Sequence, residues 1–289
     1  MPPIPPLFTL PIHPNGRITC TQPSPRLYLL TFESPPDNRL TPSFCSSFLL
    51  ALDILDHRFP KGVVVTTSGI QKFYSNGLDF ESAVKEGKRF WGGSLYPLWR
   101  RLLTYIYPNP KSIEPLGTLY PMPTIALLPG HAFAGGFMTA MMHDYRFMNP
   151  HRGFLCLNEL DFGAPFKPAM ASIFRQKVPN PNTFRTMILE SKRFGALEGL
   201  KEGLVDGLGG MEEVMVFVRE MALLDRAKTG VYGMAKREMW GETVGYLDRV
   251  DEGERKWDKD LEDSAKRQEE EKARVEDWER GGAGGRSKL

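Results

Sequence analysis

TIALLPGHAFAGGFMTAMM, Thr124 to Met142, changes its character halfway along. Thr124 to Leu128 is a short unbroken apolar run, as expected of a strand covered on both faces. Pro129 and Gly130 turn the chain, which then feeds directly into HAFAGGFMTAMMHD, read as a helix hinged at its glycines. VVVTTSGIQKFYSNGLDF, Val63 to Phe80, repeats the plan. A β-branched run is followed by a turn at Asn76-Gly77 and by a helix start. Strands alternating with helices predict an α/β layer fold.

Working outward, RLYLLTF (Arg26–Phe32) reads as a buried strand and SPPDNRL as the turn that leaves it. Phe44, Phe48, Leu52 and Leu55 share one helical stripe, with Thr41-Pro42 as N-cap and first helical residue. After Asp79 the chain is helical and aromatic through Phe90, Trp91, Trp99 and Tyr105. DYRFM and GFLCLNE supply two further strand candidates. From Pro165 the pattern is mainly helical, including ALEGLKEGLVDGL at 196–208. The expected divisions are a proline-rich extended arm over 1–25, a core over 26–210, a helical region over 211–250 and a charged segment over 251–289. That last segment suits a solvated helix, a partner-binding helix or a disordered tail.

Composition narrows the function. The chain has 289 residues, enough for a sizeable core, and 41% hydrophobic content is ordinary for a globular protein. A net charge of +2, with acids and bases dispersed, gives no electrostatic case for nucleic acid. Cys20, Cys45 and Cys156 are far apart and lack CxxC spacing, which argues against a disulfide framework or a metal site. The N-terminus has no basic n-region, and no apolar run reaches membrane-spanning length. Ser287-Lys288-Leu289 at the C-terminal end match the tripeptide read by the peroxisomal import receptor, and RGGAGGR before them makes a flexible tether.

The two strand–turn–helix segments share a chemical property. Glycine leaves its backbone N–H unshielded, and a helix start leaves several N–H groups unpaired. Two such turns side by side would aim two donors at one oxygen, as an oxyanion hole does. The same glycines also suit tight strand-to-helix packing. GHAFAGG lacks the Lys-Ser/Thr of a P-loop, G-x-G-x-x-G is not matched, and no G-x-S-x-G elbow occurs. His131, His143 and Asp144 have no serine to complete a triad and read as packing or capping residues.

SGIQKFYSNGLDF and PTIALLPGHAFAGGFMTAMMHDYRFM resemble, in order, the two signature stretches of the enoyl-CoA hydratase/isomerase (crotonase) superfamily. FLCLNELDFG and ALEGLKEGLVDGL resemble its later blocks, so the likeness spans roughly 26–210. It is strongest with peroxisomal Δ3,Δ2-enoyl-CoA isomerases. The resemblance implies a spiral of ββα units with a C-terminal helical region, an acyl-CoA ligand, no separate cofactor, and a homo-oligomer, trimer or hexamer. It assigns the oxyanion-hole amides to Leu78 and Gly135, the adenine-facing carbonyls to the Asn76-Gly77 turn, and a CoA-phosphate contact to Lys72.

The resemblance also separates two reactions. Hydration in this superfamily uses a pair of glutamates. Met138 stands where the first would be, as an apolar wall, and Glu159 stands at the second, with Asp161 as its rival should the register slip. One carboxylate and an oxyanion hole suffice for a double-bond isomerase. The expectation is a peroxisomal Δ3,Δ2-enoyl-CoA isomerase. The alternatives are a 2-enoyl-CoA hydratase or other crotonase-type enzyme, and a non-catalytic acyl-CoA-binding subunit.

Overall fold

The computed structural model describes residues 4–104, 122–228 and 231–282. Ten strands occur among them: β1 (Phe8–Ile12), β2 (Gly16–Ser24), β3 (Leu27–Glu33), β4 (Val63–Ser68), β5 (Phe73–Ser75), β6 (Thr124–Leu128), β7 (His131–Phe133), β8 (Tyr145–Met148), β9 (Leu155–Cys156) and β10 (Gly207–Leu208). They form a seven-stranded sheet ordered β1-β2-β3-β4-β6-β8-β10 and a three-stranded sheet ordered β5-β7-β9. β1, β2 and β3 run antiparallel, whereas β3, β4, β6, β8 and β10 are successively parallel. Each odd-numbered strand from β5 to β9 follows its larger-sheet neighbour after a short turn, so the two sheets are built together as the chain spirals.

Helices close each turn of the spiral. α1 (Pro42–Arg58) starts as expected: Thr41 Oγ1 accepts from Phe44 N, and Phe44, Phe48, Leu52 and Leu55 are all buried. α2 (Phe80–Glu86) follows β5 and is capped by Asp79. α3 (Lys88–Phe90), a π-helical turn over Trp91–Leu95 and α4 (Tyr96–Leu103) continue it. Tyr105 lies outside the described residues. α5 (Gly135–Met141) follows β7, and α6 (Pro168–Lys177) and α7 (Pro181–Leu189) follow β9. The ββα repeats are therefore β4-β5-α2, β6-β7-α5 and β8-β9-α6.

α8 (Ala196–Lys201) precedes β10, and α9 (Met211–Glu220), α10 (Leu223–Arg226), α11 (Val231–Met239) and α12 (Gly241–Asp248) complete the helical region. Val214, Val218 and Leu223 pack on a sheet face made by Leu27, Val63, Val65, Ile125, Leu127 and Phe147. From α11, the buried Lys236 pairs with Asp144 at 2.8 Å and donates to Leu102 O at 2.9 Å, which ties the helical region to the core.

Three local expectations are corrected. Residues 8–24 are not an arm: β1 and β2 pair as a hairpin and extend the larger sheet. Pro11 is tolerated because β1 is an edge strand, and Ile18 and Cys20, two apart, face the core. β7 stands between Gly130 and the helix, because its carbonyl and amide groups pair with β5 and β9. ALEGLKEGLVDGL is helical only to Lys201, and its last residues pair with β8 as β10.

Residues 249–289 form a separate unit, described through Gly282 as one helix, α13 (Val250–Gly282). Its acids and bases alternate at helical spacing, and Leu261, Val275 and Trp278 are exposed along it. Ser287, Lys288 and Leu289 lie outside the described residues. No helix among the described residues is long and apolar enough to cross a membrane.

Candidate active site

The first turn is built where β5 ends. Gly77 has φ +98, in the left-handed region where a side chain is strained, and a Cβ there would come 3.0 Å from Ala134 Cβ. Leu40 N donates to Gly77 O at 2.9 Å. In a trans peptide the C=O and the next N–H point in opposite directions. Pinning Gly77 O to Leu40 therefore turns the Leu78 N–H away from the α1 loop. That N–H meets no acceptor among the described residues. Asn76 is held by its N–H on Asp37 O and its Nδ2 on Asp37 Oδ2, at 3.0 and 2.7 Å.

The second turn is built where β7 ends. Ala134 sits at φ 48, ψ −128, a conformation costly for any residue with a side chain. Its N–H donates to Cys156 O at 2.9 Å and its C=O accepts from Met138 N at 3.0 Å, so both neighbouring elements hold it there. Gly135 follows. A Cβ on it would fall 2.5 Å from Leu78 Cδ2 and 3.4 Å from Leu78 N. Gly135 and Leu78 are thus too close for any side chain to stand on Gly135. Gly135 N, like Leu78 N, has no acceptor among the described residues.

Behind α5 runs a buried polar chain. Thr139 Oγ1 donates to Gly135 O and accepts from Trp99 Nε1, both at 2.8 Å. His143 lies at 2.9 Å from Thr139 O through Nδ1 and at 2.9 Å from Thr66 Oγ1 through Nε2. Burial lowers its pKa to about 3, so it is neutral. Nδ1–H must then donate to the carbonyl and Nε2 accept from Thr66, whose oxygen in turn accepts from Tyr74 OH at 2.9 Å. His143 is a core residue, and Asp144 is the partner of Lys236.

Glu159 enters from β9. A 3-10 turn over Glu159–Phe162 begins three residues after Cys156, whose carbonyl holds Ala134. Ala164 N donates to Glu159 O at 2.9 Å, and Gly163 closes the turn in the left-handed region. Glu159 is 5% exposed, and burial raises its pKa from 4.5 to about 7, against a smaller lowering by a backbone hydrogen bond. Its Oε2 is buried without a hydrogen-bond partner among the described residues, as is Asn158 Oδ1 beside it. Buried polar atoms are rarely left unpaired, so each of these calls for a physical explanation. Asp161, the rival carboxylate, is exposed. Met138 is wholly buried in α5. Phe80, at the start of α2, meets Phe162 edge-on at 6.2 Å, joining the first turn to the glutamate turn.

Lys72 is exposed at the entry to β5, with Nζ 5.3 Å from the Phe73 ring centre. The pKa of His131 is lowered first by burial and then by the Lys72 and Arg193 charges, so this face is cationic. Cys20, Cys45 and Cys156 are all buried free thiols. Sequence reasoning missed Asn38, Ser75 and Thr139. Asn38 alone carried a signal, since asparagine in a proline-containing turn favours left-handed backbone and local hydrogen bonding.

A model of the enoyl-CoA hydratase/isomerase family matches residues 24–279. The chain belongs to the enoyl-CoA hydratase/isomerase family. It is an enzyme of crotonase type, close to the Δ3,Δ2-enoyl-CoA isomerases. It is 31% identical over 230 residues to enoyl-CoA delta isomerase 3 of Arabidopsis thaliana, spanning 77% of this chain and 92% of the relative. Against the Arabidopsis enoyl-CoA delta isomerase 2, peroxisomal, identity is 28% over 226 residues, covering 76% and 91% of the two chains. The crotonase fold is shared with the human mitochondrial delta3-delta2-enoyl-CoA isomerase, at TM-score 0.59 and 20% identity over 86% of this chain and 95% of the other.

Proposed function

We propose that this enzyme is a Δ3,Δ2-enoyl-CoA isomerase in which Glu159 shuttles one proton. The observation that carries the reading is the buried carboxyl of Glu159, which pairs with no cation among the described residues, whereas the buried Asp56 and Asp144 side chains do. Glu159 is desolvated, partnerless at Oε2 and raised to about 7, while Met138 fills the position at which a hydratase would place a second acid. A base poised near neutral pH suits abstraction of the α-proton of a thioester.

Glu159 takes the proton from C2 of a 3-enoyl thioester, and the electrons move toward the carbonyl oxygen as a dienolate. The Leu78 and Gly135 N–H groups stabilise that oxygen where the charge develops. The carboxylic acid then returns the proton at C4, leaving the double bond between C2 and C3. The Asn76-Gly77 turn and Lys72 bind the nucleotide end of CoA. No redox change occurs, so no cofactor is needed beyond the CoA of the substrate.

We place the enzyme in peroxisomal β-oxidation of unsaturated acyl chains. Support comes from Ser287-Lys288-Leu289 and from two relatives whose names carry the word peroxisomal. The test of the reaction is parallel incubation with 3-enoyl-CoA and 2-enoyl-CoA, following the conjugated thioester and the 3-hydroxyacyl product separately. Conjugated product should form quickly and hydrated product at most in trace. Faster hydration of 2-enoyl-CoA than isomerisation of 3-enoyl-CoA would overturn the single-carboxylate reading, and no turnover of either would leave an acyl-CoA-binding subunit.

A further inference from the structure

Resting on that reading, we propose that Ser75 is the positioning residue that aims both amide donors, with Asn38 as its anchor. Ser75 is fully buried at the place where the two turns meet. Its Oγ accepts from Gly77 N at 3.2 Å and donates to Asn38 O at 2.7 Å. On its other side it supports α5, since a Cβ on Gly136 would fall 2.4 Å from Ser75 O and 2.8 Å from Ser75 Oγ. The residue after Gly135 thus rests on Ser75, and the residue before Leu78 hangs from it. With the Gly77 N–H taken by Ser75 and the Gly77 carbonyl taken by Leu40, the Leu78 N–H has one direction left.

Asn38 makes the anchor rigid. It is wholly buried at φ 55, a left-handed conformation that asparagine tolerates better than most residues. Its Oδ1 accepts from Ser34 N at 2.7 Å. Its Nδ2 donates to Ser68 Oγ at 2.6 Å, at the end of β4, and to Tyr74 O at 3.1 Å, inside β5. The carbonyl that receives the Ser75 hydroxyl is therefore fixed to both strands that lead into the first turn. Neither residue touches the reacting atoms. Together they hold the donors in place before the substrate arrives, which is the condition under which oriented amides lower a barrier.

The test is Ser75→Ala, which removes one oxygen and keeps the contact with Gly136. Turnover of 3-enoyl-CoA should fall about tenfold or more, the scale on which small misplacements act. KM and the affinity for a saturated acyl-CoA should change by less than about threefold, because the nucleotide is held elsewhere. Binding of a 3-ketoacyl-CoA, read from the ultraviolet absorbance of its enolate, should weaken in step with kcat. A merely structural serine would lower the melting temperature and leave both the kcat-to-KM split and the enolate band unchanged, and that result overturns the proposal. Should Ser75→Ala lose its cooperative melt, Asn38→Gly, which keeps the left-handed backbone open, carries the same expectation and the same refutation. Wild type that neither isomerises 3-enoyl-CoA nor shows an enolate band overturns the functional reading instead.

Discussion

Glu159→Gln should cost the enzyme its activity and make it more stable. The carboxyl is raised from 4.5 to about 7 by burial, so ionising it inside the protein is unfavourable. At about 1.4 kcal/mol for each pH unit, the difference is worth about 3 kcal/mol. The sign follows from linkage. Below pH 4.5 the group is protonated in both folded and unfolded chains and costs nothing. Between 4.5 and 7 the unfolded chain gives up the proton first, so stability falls as pH rises. Above 7 the full penalty of about 3 kcal/mol is present. Glutamine keeps the shape without the charge. The variant should therefore match wild type at pH 4 and exceed it by about 3 kcal/mol at pH 8, or roughly 6–12 °C in melting temperature for a chain of this size. Urea or thermal melts at the two pH values measure it. In parallel, isomerisation by the variant should fall by at least about a hundredfold, because the amide cannot accept the proton. Wild-type kcat/KM should drop about tenfold per pH unit below 7 and level off above it. A stability gain equal at pH 4 and pH 8 would show that the carboxylate is not desolvated, and full activity in the variant would place the base elsewhere, with Asp161 the first candidate.

Gly135→Val should lower turnover by about a hundredfold while leaving CoA affinity nearly intact, since its Cβ would overlap Leu78 Cδ2 and displace one donor from the other. A melting curve should accompany the assay, and wild-type turnover with weakened binding alone would reduce the hinge to packing. Removal of Ser287 to Leu289 should move the protein from peroxisomes to cytosol without changing its purified activity. Continued import, in cells lacking a full-length copy, would count against the address.

Much of this protein was legible in one dimension. The runs at Val63 to Ser68 and Thr124 to Leu128 form adjacent parallel strands, and the stripe from Phe44 to Leu55 is a buried helix face. Buried strands and amphipathic helices announce themselves because burial acts on every residue of a face, leaving a period in the sequence. The Asn76-Gly77 turn and the glycines at 135 and 136 were also visible, since few other residues accept such backbone or such close approach. Tertiary structure decided the rest. β7 and β10 are too short to carry a period, and they exist because neighbouring strands supply their hydrogen bonds. The hairpin of β1 and β2 was hidden by its prolines: Pro11 sits in the edge strand β1, and Pro23 falls where the pairing of β2 with β3 is irregular. No spacing could bring Ser75 between Asn38 and Gly136, or place Leu78 N beside Gly135, because those contacts join residues 37 to 61 positions apart. The different burial of Glu159 and Asp161 was likewise a tertiary matter. Both are acids of ordinary appearance in LNELDFG, and only the packed turn desolvates one while leaving the other in water.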